Sequence, residues 1–181
     1  MPDASRLAGL ALALALVATA VAACDAGDGA SATPAAGPSG RTERARIVRV
    51  VDGDTVIIDR GLGNERLRYI GIDAPESVTP DTSVEFMGRE AAAANAALVD
   101  GREVLLERDV SDRDRFDRLL RYVWLPEGDG WLFVNLELVR QGYASAVSFP
   151  PDISRMDELR GAERVAREAG IGLWGPATPL P

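Results

Sequence analysis

Two short segments carry acids and an arginine at the ends of apolar, β-branched runs. They are Val50-Val51-Asp52-Gly53-Asp54-Thr55-Val56 and Arg68-Tyr69-Ile70-Gly71-Ile72-Asp73-Ala74-Pro75-Glu76. Where such a run stops a sheet stops, and the side chains at its end can converge. Two converging aspartates make a site for a hard cation. An arginine with a spare glutamate beside it suits hydrolysis of a phosphate ester.

Composition removes most competing chemistries. The chain of 181 residues has no histidine, and all 20 of its basic residues are arginine. Histidine bases, the serine-hydrolase triad and histidine-ligated zinc are therefore excluded. The single cysteine is Cys24, close to the start, which sets aside thiol catalysis and disulfides. A net charge of −8 argues against a dedicated nucleic-acid binder with a basic surface. It leaves room for an enzyme that meets a few phosphates through local arginines and a cation.

The elements that must position these residues follow from the pattern. Ala45 to Val51 alternates, with Ile47, Arg49 and Val51 on one face and Val48 and Val50 on the other. Thr55–Asp59 and Glu65–Ile72 follow after turn signals, so three strands form a meander. On the third, Arg68 is expected to share a face with Ile70 and Ile72. Glu90–Leu98 is an alanine-rich helix that Gly101 ends. Glu103–Val110 and Arg118–Leu125 are two further strands, and Val134–Gln141 is a short helix. Met156, Leu159, Ala162, Ala166 and Ala169 form an apolar stripe at helical spacing. Ser154 is expected to cap that helix, and Asp157 and Glu158 suit the positive end of its dipole. The fold class is α+β, mainly β: a small five-stranded OB-type barrel with three packed helices.

The combination Asp52-Gly-Asp54-Thr, Arg68 with Asp73-x-Pro-Glu76, Asp114-Arg-Phe-Asp-Arg118, Leu138-Val-Arg-Gln-Gly142-Tyr and Leu173-Trp174 resembles the thermonuclease family. The likeness runs from Ala45 to Gly175. It implies an OB barrel and calcium-dependent hydrolysis of phosphodiester bonds in DNA and RNA. It further implies that Asp54, Asp73 and the backbone carbonyl of Ala74 hold Ca2+, that Glu76 is the general base, and that Arg68 and Arg118 bind the scissile phosphate. The chain departs from the family in three places. Ala74 replaces a frequent threonine, Asp117 stands where glycine is common, and Ser148-Phe149-Pro150 fills a stretch that usually offers tyrosines. Phe149 is left there as a stacking surface for a base. Asp52 reads as a turn or support residue and Glu85 as a loop acid. Asp109, Asp112, Asp114 and Asp117, interleaved with arginines, read as a salt-bridged turn.

The start of the chain has its own organisation. Residues 1–23 read as a signal peptide: Arg6 precedes the apolar run Leu7 to Val21, which is shorter than the about 20 residues of a membrane span. Val21-Ala22-Ala23-Cys24 resembles the lipobox of bacterial lipoproteins, with Cys24 as the lipidated residue; the plainer alternative is an ordinary signal peptide. Residues 24–42 read as a lipidated cysteine and a flexible linker, 43–176 as the barrel domain and 177–181 as a tail. The expected protein is an exported, membrane-anchored monomer whose partner is a nucleic-acid substrate. The alternatives are a secreted soluble form and, for function, a non-catalytic OB module that binds nucleic acid or another ligand at the surface.

Overall fold

A computed structural model of the chain describes residues 37–77 and 85–176. The expected signal peptide, Cys24, most of the expected linker and the tail lie outside the described residues. The elements are β1 (Arg41–Asp52), β2 (Thr55–Asp59), β3 (Asn64–Tyr69), β4 (Ile72–Asp73), α1 (Gly88–Val99), β5 (Glu103–Arg108), β6 (Leu119–Glu127), β7 (Gly130–Phe133), α2 (Val134–Arg140), β8 (Ser145–Ala146) and α3 (Met156–Ala169). A turn of 3-10 helix, Gly172–Trp174, follows α3.

Strand order is β3-β2-β1-β5-β6-β7, and a parallel pairing of β3 with β6 joins Leu67, Arg68 and Tyr69 to Leu119, Leu120 and Arg121. That pairing closes β1, β2, β3, β6 and β5 into the expected five-stranded barrel. Closure leaves no edge on those strands, and their inward residues fill the interior. Ile47, Val56, Ile58, Leu67, Leu106, Leu119, Val123 and Trp124 are fully buried there. Val134 and Leu138 of α2 and Met156 and Leu159 of α3 belong to the same core.

Three short strands go beyond the five that were expected. The run Glu65–Ile72 does not stay one strand, because Gly71 takes a φ of 79° and turns the chain. A Cβ at Gly71 would also stand 2.5 Å from Leu159 Cδ1, so the turn requires glycine twice over. Ile72–Asp73 therefore pairs with β8 instead. The turn also ends the alternation, so Arg68 does not share a strand face with Ile70 and Ile72. β6 runs on to Glu127, and β7 folds back on it.

β1 also departs from simple alternation. Register shifts between Ile47 and Arg49 and between Val50 and Asp52 mark bulges. Val48 and Arg49 are consequently both exposed, while Val50 packs inward. β1 starts at Arg41, before the expected domain boundary, and the backbone amides of Ser39 and Gly40 donate to Glu107 Oε1 at 3.1 and 2.8 Å. Ser154 does not cap α3. The residue before the helix is Arg155, held by its buried pair with Glu107, and the Ser154 amide donates to Asp109 Oδ2.

Asn135 shows how the helices lock the barrel. Fully buried at the start of α2, it donates to Ile70 O and accepts from Val123 N, each at 2.9 Å. Each backbone group would be left dry and unpaired without it, at about 1–3 kcal/mol apiece. Asn135→Ala should therefore lower unfolding free energy by about 3 kcal/mol in urea titrations; a loss below about 1 kcal/mol would show that the link is dispensable.

Candidate active site

The β1–β2 turn brings Asp52 and Asp54 to the rim of the barrel. A Cβ on Gly53 would stand 2.5 Å from Ala74 Cβ and 2.9 Å from Ala91 Cβ. Only glycine lets this turn press against the segment after β4 and against α1.

Asp54 is 1 % exposed. Its Oδ1 accepts from Arg68 Nη1 at 2.6 Å and from the Thr55 hydroxyl at 3.0 Å, and its Oδ2 accepts from the Ala74 amide at 2.8 Å. Burial pushes its carboxyl up to about 6, against the pull of Arg68 and the Ala74 amide. Arg68 is placed by pairing with Thr55 on one side and Leu120 on the other. Its second Nη donates to Asp73, whose side chain is 58 % exposed. One guanidinium thus bridges a buried and an exposed aspartate.

A second carboxyl pair stands beside the first. Asp52 is buried, and its Oδ1 accepts from the amides of Gly53 and Ser77 at 2.8 and 3.3 Å. Hydrogen bonding with Asp52, followed by burial, pushes the Glu76 carboxyl up to about 7. Asn95 of α1 fixes this pair from behind: its Nδ2 donates to Asp52 O at 3.0 Å and its Oδ1 accepts from Tyr69 Oη at 3.0 Å. Glu85 grips the backbone of Glu76, accepting its amide and donating to its carbonyl, each at 3.1 Å.

Arg118 comes from the loop before β6. Asp114 Oδ1 accepts the amides of Phe116 and Arg118 at 2.9 and 3.0 Å, and its Oδ2 accepts Arg118 Nε at 2.6 Å. The loop is thereby folded and Arg118 aimed, with its Nη groups left over. Asp117 has a φ of 63°, the left-handed region that suits glycine at this position. Its carboxylate turns to Arg113, at 3.6 Å, and not to Arg118. The acids of this stretch are engaged separately, Asp109 with Tyr122, Asp112 with Arg121 and Asp114 with Arg118.

Arg68 and Arg118 line one open cleft of about 550 Å³, together with Arg115, Phe116, Phe149 and Asp152. Phe116 and Phe149 are 64 % and 54 % exposed. Sequence reasoning picked out Phe149 and passed over Phe116. Its signal was an aromatic flanked by Arg115 and Asp117, in a loop too charged to bury it. Asn95 was missed as well, and a polar residue inside an alanine-rich helix was the clue.

The donor set fits a hard cation. Asp54 and Asp73 reach the same guanidinium, so their oxygens converge, and two carboxylates suit an ion that also takes carbonyl and water oxygens. Among the described residues Arg68 carries the one guanidinium hydrogen-bonded to any of Asp52, Asp54, Asp73 and Glu76. Burial is the main cause of the raised proton affinity of Asp54, and hydrogen bonding with Asp52 that of Glu76, with neighbouring carboxylates adding to both.

Comparison with known proteins places this geometry. The family model of staphylococcal nuclease homologues matches residues 66–176. Thermonuclease of Staphylococcus hyicus is 34% identical over 140 residues, covering 77% of this chain and 80% of that protein. Thermonuclease of Staphylococcus intermedius is 36% identical over 134 residues, 74% of this chain and 77% of that protein. Endonuclease YncB of Bacillus subtilis is 32% identical over 128 residues, 70% of this chain and 59% of that protein. The matched range holds Arg68, Asp73, Ala74, Glu76 and Arg118. Asp54 precedes it and is tied into it through Arg68 and Ala74. On this match over more than half of the chain, and on thermonucleases similar along most of their own length, the chain belongs to the family of staphylococcal nuclease homologues.

Proposed function

We propose that the chain is a calcium-dependent nuclease that hydrolyses phosphodiester bonds of DNA, and also of RNA, outside the cytoplasm. One observation carries the reading: Arg68 and Arg118 line a single cleft, and Arg68 connects that cleft to the two aspartates Asp54 and Asp73. The names of the relatives, thermonuclease and endonuclease, support it.

A phosphodiester is anionic, so attack by water needs charge neutralisation more than a strong nucleophile. Asp54, Asp73 and the carbonyl of Ala74 would hold Ca2+, which when bound supplies positive charge beside the phosphate. Arg118 keeps Nε on Asp114 and offers its Nη groups to a phosphate oxygen. Arg68 offers the same once it exchanges Asp73 for the phosphate. Glu76 takes the proton of the attacking water at its carboxylate, and a proton affinity near neutrality suits a general base. Phe116 and Phe149 give bases a surface on which to stack.

Location is proposed from the start of the chain: cleavage before Cys24 and lipidation of its sulfur would tether the enzyme to the outer face of a membrane. Among the described residues no helix is long and apolar enough to cross one.

Three outcomes are expected. The chain lacking residues 1–24 should cleave single-stranded DNA, duplex DNA and RNA in calcium and not in chelator, and Glu76→Gln or Arg118→Ala should lose about 10²–10³ in rate while folded. No calcium-dependent cleavage by the parent would refute the activity, and near-normal turnover in a variant would refute that residue's role.

The second outcome concerns stability. The unfolded chain ionises Asp54 near 3.8 and the folded chain near about 6. Between these values the folded state holds a proton that the unfolded state has released, so this group's contribution to stability falls as pH rises. Without calcium, the melting temperature of Asp54→Asn should exceed that of the parent by a margin that grows across this window. Calcium should stabilise the parent and not the variant. A margin independent of pH would contradict the electrostatic account.

The third concerns the anchor. Cys24→Ala should move the protein from the membrane fraction to the soluble fraction, and unchanged sedimentation would refute lipidation.

A further inference from the structure

The barrel carries a second concentration of positive charge, away from the cleft. Ala45 and Ile47 of β1, Val56 and Ile58 of β2 and Leu67 and Tyr69 of β3 point into the core. The alternate positions therefore face out. On β1 these are Arg44, Arg46 and, after the bulge, Arg49; on β3 they are Arg66 and Arg68. Ile57 of β2 pairs with Arg49 on one side and Arg66 on the other, so these two arginines stand in one row across three strands. Neighbouring strands lie about 4.8 Å apart, which separates the two by roughly 10 Å. Arg66 precedes Arg68 by two residues on the same face, a step of roughly 7 Å. The row therefore leads into the active site.

Arg44, Arg46, Arg49 and Arg66 are exposed, and among the described residues none has an ion-pair partner. The acids on the same surface are Asp59, which accepts the Gly61 amide, and Glu103, opposite Arg46 on β5. Four guanidiniums against two carboxylates leave the face positive on a chain whose net charge is −8. Elsewhere many arginines are ion-paired, as Arg60 and Arg121 are on Glu43 and Arg113 on Glu65, while Arg41, Arg89, Arg102, Arg115 and Arg160 stand unpaired but scattered among the described residues. Arginines left free on one face and aligned on a catalytic arginine call for an anionic partner that also enters the cleft.

We propose that the outer face of β1, β2 and β3 is a track for the phosphate backbone of a long nucleic-acid strand, holding the part of the substrate that extends beyond the cleft. This rests on the nuclease reading above. The guanidiniums neutralise successive phosphates without reading sequence, so the track contributes length-dependent affinity. An anionic membrane surface would use the same charges. Continuity with Arg68 favours the nucleic acid.

Binding separates the possibilities. The full chain and two double variants of equal charge change are compared, Arg49→Gln/Arg66→Gln and, on α3, Arg160→Gln/Arg164→Gln. Fluorescence anisotropy in chelator gives Kd for labelled single strands of about 30 and about 4 nucleotides over a range of salt. Cleavage of both strands is measured separately in calcium. The Arg49/Arg66 variant should bind the long strand about tenfold more weakly, with a salt slope lower by about 1.5. It should cleave the short strand as the parent does, and the α3 variant should match the parent throughout. The proposal is overturned if the long-strand Kd and slope match those of the α3 variant, or if short-strand cleavage falls equally. It is also overturned if only binding to phosphatidylglycerol vesicles is lost. A parent that cleaves neither strand would sink the nuclease reading, while the binding data would still decide the track.

Discussion

Arg68 is held between Asp54 and Asp73, and the rest of the site is arranged around that contact. An ionised carboxylate that is 1 % exposed is expensive unless a cation and hydrogen-bond donors surround it. Arg68, the Thr55 hydroxyl and the Ala74 amide are those partners, and each comes from the backbone course of a different element. Arg68 reaches Asp54 because β3 pairs with β2 at Thr55 and with β6 at Leu120. Ala74 reaches it because Gly71 turns the chain out of β3 and Gly53 has no side chain to keep the two loops apart. Closure of the barrel and assembly of the site are therefore one event, since the β3–β6 pairing that removes the last edge also fixes the arginine.

The two carboxyl pairs are held in opposite ways. Asp54 and Asp73 share a guanidinium, whose pull on the Asp54 proton is outweighed by burial. Asp52 and Glu76 share a hydrogen bond with each other, and one of two such neighbours holds its proton more tightly. The rim thus stores repulsion that a purely structural site would relieve with a second arginine. Arginines are abundant nearby, yet Arg113 is spent on Glu65 and Asp117, and Arg118 on Asp114. Burial of Asp54 and the Asp52–Glu76 contact disfavour ionised Asp54 and Glu76, a cost to the free protein that added positive charge at the rim would offset.

Much of this was legible in the sequence, and the reasons are local. Strands β1, β2, β3, β5 and β6 announce themselves by alternation and turn residues, and α3 by its apolar stripe. The residues of the rim are readable because acids at the end of a β-branched run have few structural uses. What escaped the sequence depends on long-range register. The bulges in β1, which put Val48 and Arg49 side by side in solvent, arise from pairing with β2. The break after Tyr69 turns on Gly71, where a positive φ and close approach to Leu159, far along the chain, both call for glycine. Ser154 looked like a helix cap because it precedes an apolar stripe, but the buried Glu107–Arg155 pair starts the helix later. Asn95 and Phe116 acquire roles only once α1 backs the β1–β2 turn and the loop before β6 faces the cleft.

An acidic protein can still handle a polyanion, because a field in salt water is local. Screening over about 8–10 Å makes the total charge of −8 less important than which groups share a face. Here the chain sorts its arginines by partner. Arg60 after β2, Arg108 at the end of β5 and Arg121 on β6 are tied to Glu43, Glu65 and Asp112 and act as struts. On the outer face of β1 to β3, Arg44, Arg46, Arg49 and Arg66 form no ion pair among the described residues, although Asp59 and Glu103 flank Arg46, and their donors face solvent. The alternation of a strand sends one set inward to the core and the other outward. Where the outward set falls on a strand that ends at Arg68, the β-period that builds the barrel also lays a row of positive charge toward the cleft.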